Sequence, residues 1–281
     1  MSEEPMAKVI DPERVDFAKE GMDYYEDVAY SHQHPRQVLD LWAPKGASKL
    51  PCVVWIHGGG WSAEDLTKRY RPEVELAALA KKGFVCVSIE YRLCQHAPFP
   101  AQIQDCKCAI RFLRAHADQY GIDPERIGVW GESAGGHLTA LLAAAGSVPE
   151  FEGDGGWQEY SSQVQAAVPW YAPNDMVLSG MERENKLFET LFGGPFQEKK
   201  NEIWAASPMK YAGDALPPML LMHGDVDRLV PTWQTTRFYD ALRLHGNPVE
   251  MILVPGQGHG FFDGQEYYEA IYTFFQKTLA K

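Results

Sequence analysis

VWGESAGGHL, residues 129–138, sets two apolar residues ahead of Gly131, Ser133, Gly135 and Gly136. Small residues gather this way wherever a strand turns sharply into a helix. The G-x-S-x-G spacing alone therefore leaves Ser133 as either an activated nucleophile or one more serine in a glycine-rich loop. The flanks decide. RIGVW before it reads as a buried strand and residues 134–145 as a helix. Strand, serine, helix is the order in which this spacing becomes a nucleophile elbow. The serine must hold a strained backbone with its oxygen exposed, and glycines on either side let strand and helix approach closely. The helix N-terminus also points its partial positive charge at that oxygen.

The same alternation runs outward in both directions. VLDLW (38–42), CVVWI (52–56), FVCVSIEY (84–91), VQAAVPW (164–170), PMLLMHG (218–224) and VEMILVP (249–255) are short apolar strands. Between them, helical spacing covers 74–82 with Gly83 as its cap, 101–120, 232–245 and 265–280, and GIDPER is expected as a turn. Continuous apolar strands separated by helices predict an α/β fold: a mostly parallel central sheet covered on both faces, as one domain over 1–281. The rhythm breaks at 146–162 and 174–213, which are expected to form a small lid or pocket wall over the carboxyl ends of the strands.

A serine hydroxyl needs a base. In this strand order an acid follows the serine and a histidine follows the acid. His245 ends a predicted helix, where a terminal hydrogen bond accounts for it. His259 sits in GQGHGFF directly after a strand, placed to reach Ser133. HGDVDRLVP (223–231) offers Asp225 and Asp227. Two residues apart, they point the same way in an extended segment, so either can orient the histidine while the other caps the helix beginning near Thr232. Acyl transfer also needs oxyanion donors. HGGGW (57–61) supplies glycines whose amides can turn inward without steric cost, with the N–H of Ala134 as the other donor and His57 tying the loop. No Gly-Lys-Ser/Thr follows those glycines, which argues against a phosphate loop. Trp61 and Trp170 are either aromatic pocket walls or plain packing. Glu132 either touches substrate or supports the elbow.

The formal net charge of -12 repels phosphate backbones and disfavours nucleic acid as a partner. No apolar run is long enough to span a membrane. MSEEPMAKVIDPERVDF lacks the basic start and apolar core of a signal peptide, so the cytoplasm is the expected compartment. The five cysteines show no zinc spacing and are expected as free thiols.

HGGGW, YRL at 91–93, FPAQIQD at 99–105, GIDPERIGVWGESAGGHL, HGDVDRLVP and GQGHGF occur together and in order. In this combination the chain resembles the hormone-sensitive-lipase-like esterases of the α/β-hydrolase superfamily, above all the compact bacterial feruloyl and acetyl-xylan esterases. The resemblance implies an α/β-hydrolase fold and a serine carboxylic ester hydrolase acting on small-molecule esters, with short acyl groups such as acetyl or feruloyl esters of carbohydrates. It places the acid on Asp227, the serine on Ser133, the histidine on His259 and the oxyanion donors on Gly58, Gly59 and Ala134, and implies no metal or organic cofactor. Kynurenine formamidases and broad carboxylesterases are the neighbouring readings. Gly60 leans against the former, whose members often carry an aromatic residue there. A binding protein that keeps the hydrolase shell without turnover usually loses a member of the triad, and here all three are present.

Overall fold

The computed structural model describes residues 21–69, 72–182, 186–260 and 265–279. Eight strands form one sheet: β1 (Met22–Ala29), β2 (Val38–Pro44), β3 (Leu50–Ile56), β4 (Val85–Ile89), β5 (Ile122–Glu132), β6 (Ala166–Trp170), β7 (Met219–Gly224) and β8 (Val249–Val254), in the order β1-β2-β4-β3-β5-β6-β7-β8. β2 is antiparallel to both β1 and β4, and every pair from β4 to β8 is parallel. The helices are α1 (Pro72–Lys81), α2 (Ala101–Ala115), α3 (Ala117–Tyr120), α4 (Ser133–Ala144), α5 (Met176–Glu182), α6 (Lys186–Phe192), α7 (Lys200–Ala205), α8 (Trp233–Leu244) and α9 (Gln265–Leu279).

The strands are apolar throughout because both faces are covered. Cys52, Val54 and Ile56 of β3 join one core with Ile103 and Leu113 of α2, Leu138 of α4 and Phe238 of α8. Their neighbours Val53 and Trp55 join the opposite core, with Leu76 of α1 and Ile271 and Phe275 of α9. This is the two-residue period of a strand, hidden in the sequence because neither phase is polar.

Three elements differ from the sequence reading. β1 was not expected. Its MDYYEDVA mixes charges into the pattern, and it carries a bulge between Tyr25 and Val28 with Asp27 at φ 52°. Buried Asp40 repays the irregularity: it accepts the Asp27 amide at 2.8 Å and pairs with Lys68 and Arg69. The single helix expected over 101–120 breaks at His116 into α2 and α3. The expected GIDPER turn lies inside β5. Between the pairs Leu50–Ile122 and Cys52–Ile127, β3 advances two residues while β5 advances five, so the excursion is held within the strand.

The two interrupting stretches have different places. Residues 146–162 lie along α2, where Trp157 meets Phe112 and His116; near the strand ends Phe151 meets Phe99 and Trp157 Nε1 donates to the Tyr30 carbonyl just after β1. Glu152 anchors them, pairing with Lys107 at 2.7 Å and Arg111 at 2.5 Å, both fully buried cations of α2. Burial pushes the Glu152 carboxyl up, but bonds from Lys107 and Ser162 and the two cations reverse this and hold it below its ordinary range. Its contribution is therefore present above the ordinary glutamate range and is lost as pH falls through the lowered value. Glu152→Gln is expected to cost about 2 kcal/mol at neutral pH, less than a fully buried pair because the 35%-exposed Glu152 keeps contact with water. Denaturation of both proteins across the acid range checks it: the difference should shrink as pH falls. Residues 174–182 and 186–213 instead cover the carboxyl ends. Leu187 of α6 lies 3.5 Å from where a side chain on Gly60 would begin, and the Phe99 amide donates to the Leu191 carbonyl at 2.6 Å. The stretch SGMEREN runs into 183–185, outside the described residues.

Candidate active site

From β3 the chain passes to β4 on one side and later to β5 on the other, so the crevice at their carboxyl ends lies where the winding reverses. The loop after β3 and the turn after β5 are therefore neighbours, with Ile56 paired to Gly131. Ser133 stands at the start of α4 with φ 52°, a conformation that non-glycine residues rarely adopt. The glycines around it are set by backbone, not by flexibility. A Cβ on Gly135 would lie 2.0 Å from the Ile56 carbonyl oxygen, and one on Gly136 2.3 Å from that of Trp170. α4 thus rests directly on the ends of β3 and β6.

The loop 57–61 is fixed from below. His57 stacks on Tyr91 and its Nδ1 lies 2.8 Å from the Gly58 carbonyl, while the Tyr91 hydroxyl donates to the His57 carbonyl at 2.9 Å. His57 ties the loop, as its sequence position implied. Gly59 at φ 105° and Gly60 at φ 57° turn the chain back so that the amides of Ser62 and Ala63 donate to the Gly59 carbonyl. The amides of Gly58 and Gly59 bond no other backbone carbonyl among the described residues. Ala134 is in the first turn of α4, where N–H groups lack intrahelical partners.

Two loops after β7 and β8 bring in Asp227 and His259. A Cβ on Gly224 would meet the Gln257 carbonyl at 2.2 Å, so the loops touch through bare backbone. Asp225 accepts the Gly256 amide at 2.7 Å. It caps the histidine loop and not the α8 start, where Thr232 is the N-cap residue. Asp227 faces His259: Oδ2 lies 2.7 Å from Nδ1, and His259 Nε2 lies 2.9 Å from Ser133 Oγ. Asp227 Oδ1 accepts the amides of Leu229 and Val230. Burial pushes this carboxyl up, but bonds from His223 and His259, the charge of His259 and the Val230 amide hold it well below the usual carboxylate range. With the carboxylate ionised, His259 Nδ1 carries the proton and Nε2 is free to accept one from Ser133. The rest of the GQGHGFF motif, Phe261 and Phe262, lies outside the described residues.

The remaining expectations divide. Trp170 is no pocket wall. It is 1% exposed on the opposite face of the sheet, packed edge-on against Trp55 and Trp130, because its parity on β6 turns it toward α9. Trp61 takes its packing alternative, edge-on against His137 in the other core. Glu132 is buried beside Gly58 and accepts the Tyr171 hydroxyl at 2.5 Å, which places it under the elbow. Sequence reasoning missed two residues. Tyr171 lays its ring edge-on to His259 with centroids 4.8 Å apart. His223 bonds Asp227 from within β7. A histidine ending the apolar run MLLMHG was the available signal, since a buried polar group needs a partner.

The BD-FAE family model matches residues 39–242, which spans the loop after β3, the elbow and Asp227. The chain belongs to the BD-FAE family. It is 32% identical over 260 residues, 88% of its length, to the probable carboxylic ester hydrolase LipM of Mycobacterium tuberculosis, and it spans 57% of that relative's length. Its structure is similar to a truncated form of a carbohydrate esterase from gut microbiota, with TM-score 0.84 and 31% identity over 92% of this chain and 97% of that one. It is also similar to the esterase Est2 of Thermogutta terrifontis with propionate bound, with TM-score 0.76 and 27% identity over 93% of this chain and 96% of that one. Among the described residues of this family member, no helix is long and apolar enough to cross a membrane.

Proposed function

We propose that this chain is a serine carboxylic ester hydrolase for short acyl esters, with acetylated or feruloylated carbohydrates as its substrate class. The observation that carries the reading is the unbroken hydrogen-bonded chain from Ser133 Oγ through His259 to Asp227. Ser133 attacks the ester carbonyl while His259 Nε2 takes its proton. Asp227 holds the Nδ1–H tautomer and stabilises the imidazolium. The amides of Gly58, Gly59 and Ala134 receive the oxyanion, each worth about 3 kcal/mol in the transition state. His259 then protonates the departing alcohol, leaving an acyl group on Ser133. Water, deprotonated by His259, attacks that acyl-enzyme and releases the acid.

Membership in the BD-FAE family and likeness to a carbohydrate esterase support the substrate class. Leu187 over Gly60 supports a short acyl side, since it narrows the space above the oxyanion loop. The test is kcat/KM for p-nitrophenyl esters from acetate to octanoate, with Ser133→Ala as the blank. A fall of about tenfold or more between butyrate and octanoate is expected, a loss that steric exclusion of added methylenes can supply. A flat or rising profile would mean an open apolar groove and a broad carboxylesterase. Matched ester and amide substrates separate the ester reading from an amidase one.

A further inference from the structure

His223 is fully buried at the end of β7. Its Nε2 lies 3.1 Å from Asp227 Oδ2, the oxygen that also faces His259 Nδ1, and 2.9 Å from the Val230 carbonyl. Carboxylate and carbonyl only accept, so Nε2 must carry a proton. Nδ1 lies 2.7 Å from Thr235 Oγ1, and a hydroxyl can donate there. A neutral Nε2–H imidazole therefore satisfies every partner without a second charge in a site closed to water.

We infer that His223 is a positioning residue of the triad, fixing the Asp227 carboxylate by donating to the same oxygen that receives His259. The inference rests on the Ser133–His259–Asp227 reading above. Its physical content is a division of charge. Asp227 Oδ1 is filled by two backbone amides, so the rotation of the carboxylate about its own axis is already restricted from that side. Oδ2 is left to two histidines. While His223 donates, part of the negative charge on Oδ2 is neutralised locally, and the imidazolium of His259 is stabilised less. Remove the donor and two things follow. The carboxylate loses a contact that aims Oδ2 at His259, and the charge left on Oδ2 makes His259 a stronger base. Among the described residues, the titratable groups facing His259 are Asp227 and Tyr171, with Glu132 behind the Tyr171 hydroxyl; those facing His223 are Asp227 and Tyr171.

Two amides separate this role from plain packing. The side-chain nitrogen of glutamine is as many bonds from Cα as Nε2 of histidine, and that of asparagine as many as Nδ1. His223→Gln can still reach Asp227, and His223→Asn cannot. The experiment measures kcat and KM on p-nitrophenyl acetate across pH, melting temperature, and the proton NMR resonance of His259 Nδ1–H in the resting protein. His223→Asn is expected to lower kcat about tenfold with little change in KM, and to move the acid limb upward by about half a pH unit. His223→Gln should recover most of the rate and keep the limb and the resonance in place. If both variants lose rate in step with melting temperature, or if His223→Asn leaves rate, limb and resonance unmoved, the inference is overturned. Should His223→Asn not fold, Thr235→Val frees the other ring nitrogen, and it must shift the resonance and the limb in the same direction for the inference to stand. Ser133→Ala runs in parallel: if it keeps full turnover, the hydrolase reading fails instead, whereas an inactive Ser133→Ala beside an unmoved His223→Asn condemns only the role of His223.

Discussion

Replacing Ser133 by alanine is expected to lower kcat on a short-chain ester about a millionfold, the scale seen when a triad nucleophile is removed. The size follows from the geometry. Ser133 Oγ is 2.9 Å from His259 Nε2 and stands on a backbone at φ 52°. The residual rate is expected from the proposed oxyanion donors and from binding, which the substitution leaves in place. KM should therefore change far less than kcat. Alanine at φ 52° keeps the strain and loses only the oxygen, so the melting temperature should stay within a few degrees of the wild type. Steady-state kinetics with a melting curve checks both. Turnover within tenfold of the wild type would place the chemistry elsewhere. A rate loss matched by unfolding would make Ser133 structural.

The elbow was legible in the sequence because everything that makes it is local. A strand, a serine between glycines and a helix follow one another within residues 126–145, and steric contact between adjacent backbones admits few side chains there. The carboxylate partner of His259 was less legible. Asp225 and Asp227 share a spacing, and what separates them is the Gly256 amide, brought to Asp225 by a loop some thirty residues on. Only the resemblance chose between them. Trp170 misled for a related reason. On a strand buried on both faces, alternation carries no sign of which face holds the site, and Trp170 fell on the side away from it. Tyr171, the next residue, packs in that same core but lies just past the end of β6 and reaches His259, and nothing in the sequence distinguished the two. β1 escaped notice because Asp23, Glu26 and Asp27 interrupt its pattern, and Lys68 and Arg69, which pair with Glu26 and Asp27, lie far along the chain.

Gly135→Ala is expected to abolish folding or to cost more than about 4 kcal/mol, the range reserved for severe steric faults. The added methyl would lie 2.0 Å from the Ile56 oxygen, 2.4 Å from the His57 oxygen and 2.7 Å from the His57 carbonyl carbon. All three are main-chain atoms, so no rotamer change relieves the contact. β3 cannot retreat, since it is paired on both sides by β4 and β5. α4 would have to lift away, and it is held from the other side by the Gly136 contact with the Trp170 carbonyl. The same lift would separate Ser133 from the loop 57–61, so any molecules that fold should lose activity as well. Gly146→Ala is the matched control. The nearest atom to its new methyl is 3.5 Å away on the flexible Gln163 side chain, and stability within about 0.5 kcal/mol of the wild type is expected. Chemical denaturation of the two variants decides the matter. If Gly135→Ala unfolds at the wild-type denaturant concentration, the contact between α4 and the end of β3 is not what requires glycine at 135. The close approach that positions the elbow against the loop 57–61 would then need another cause.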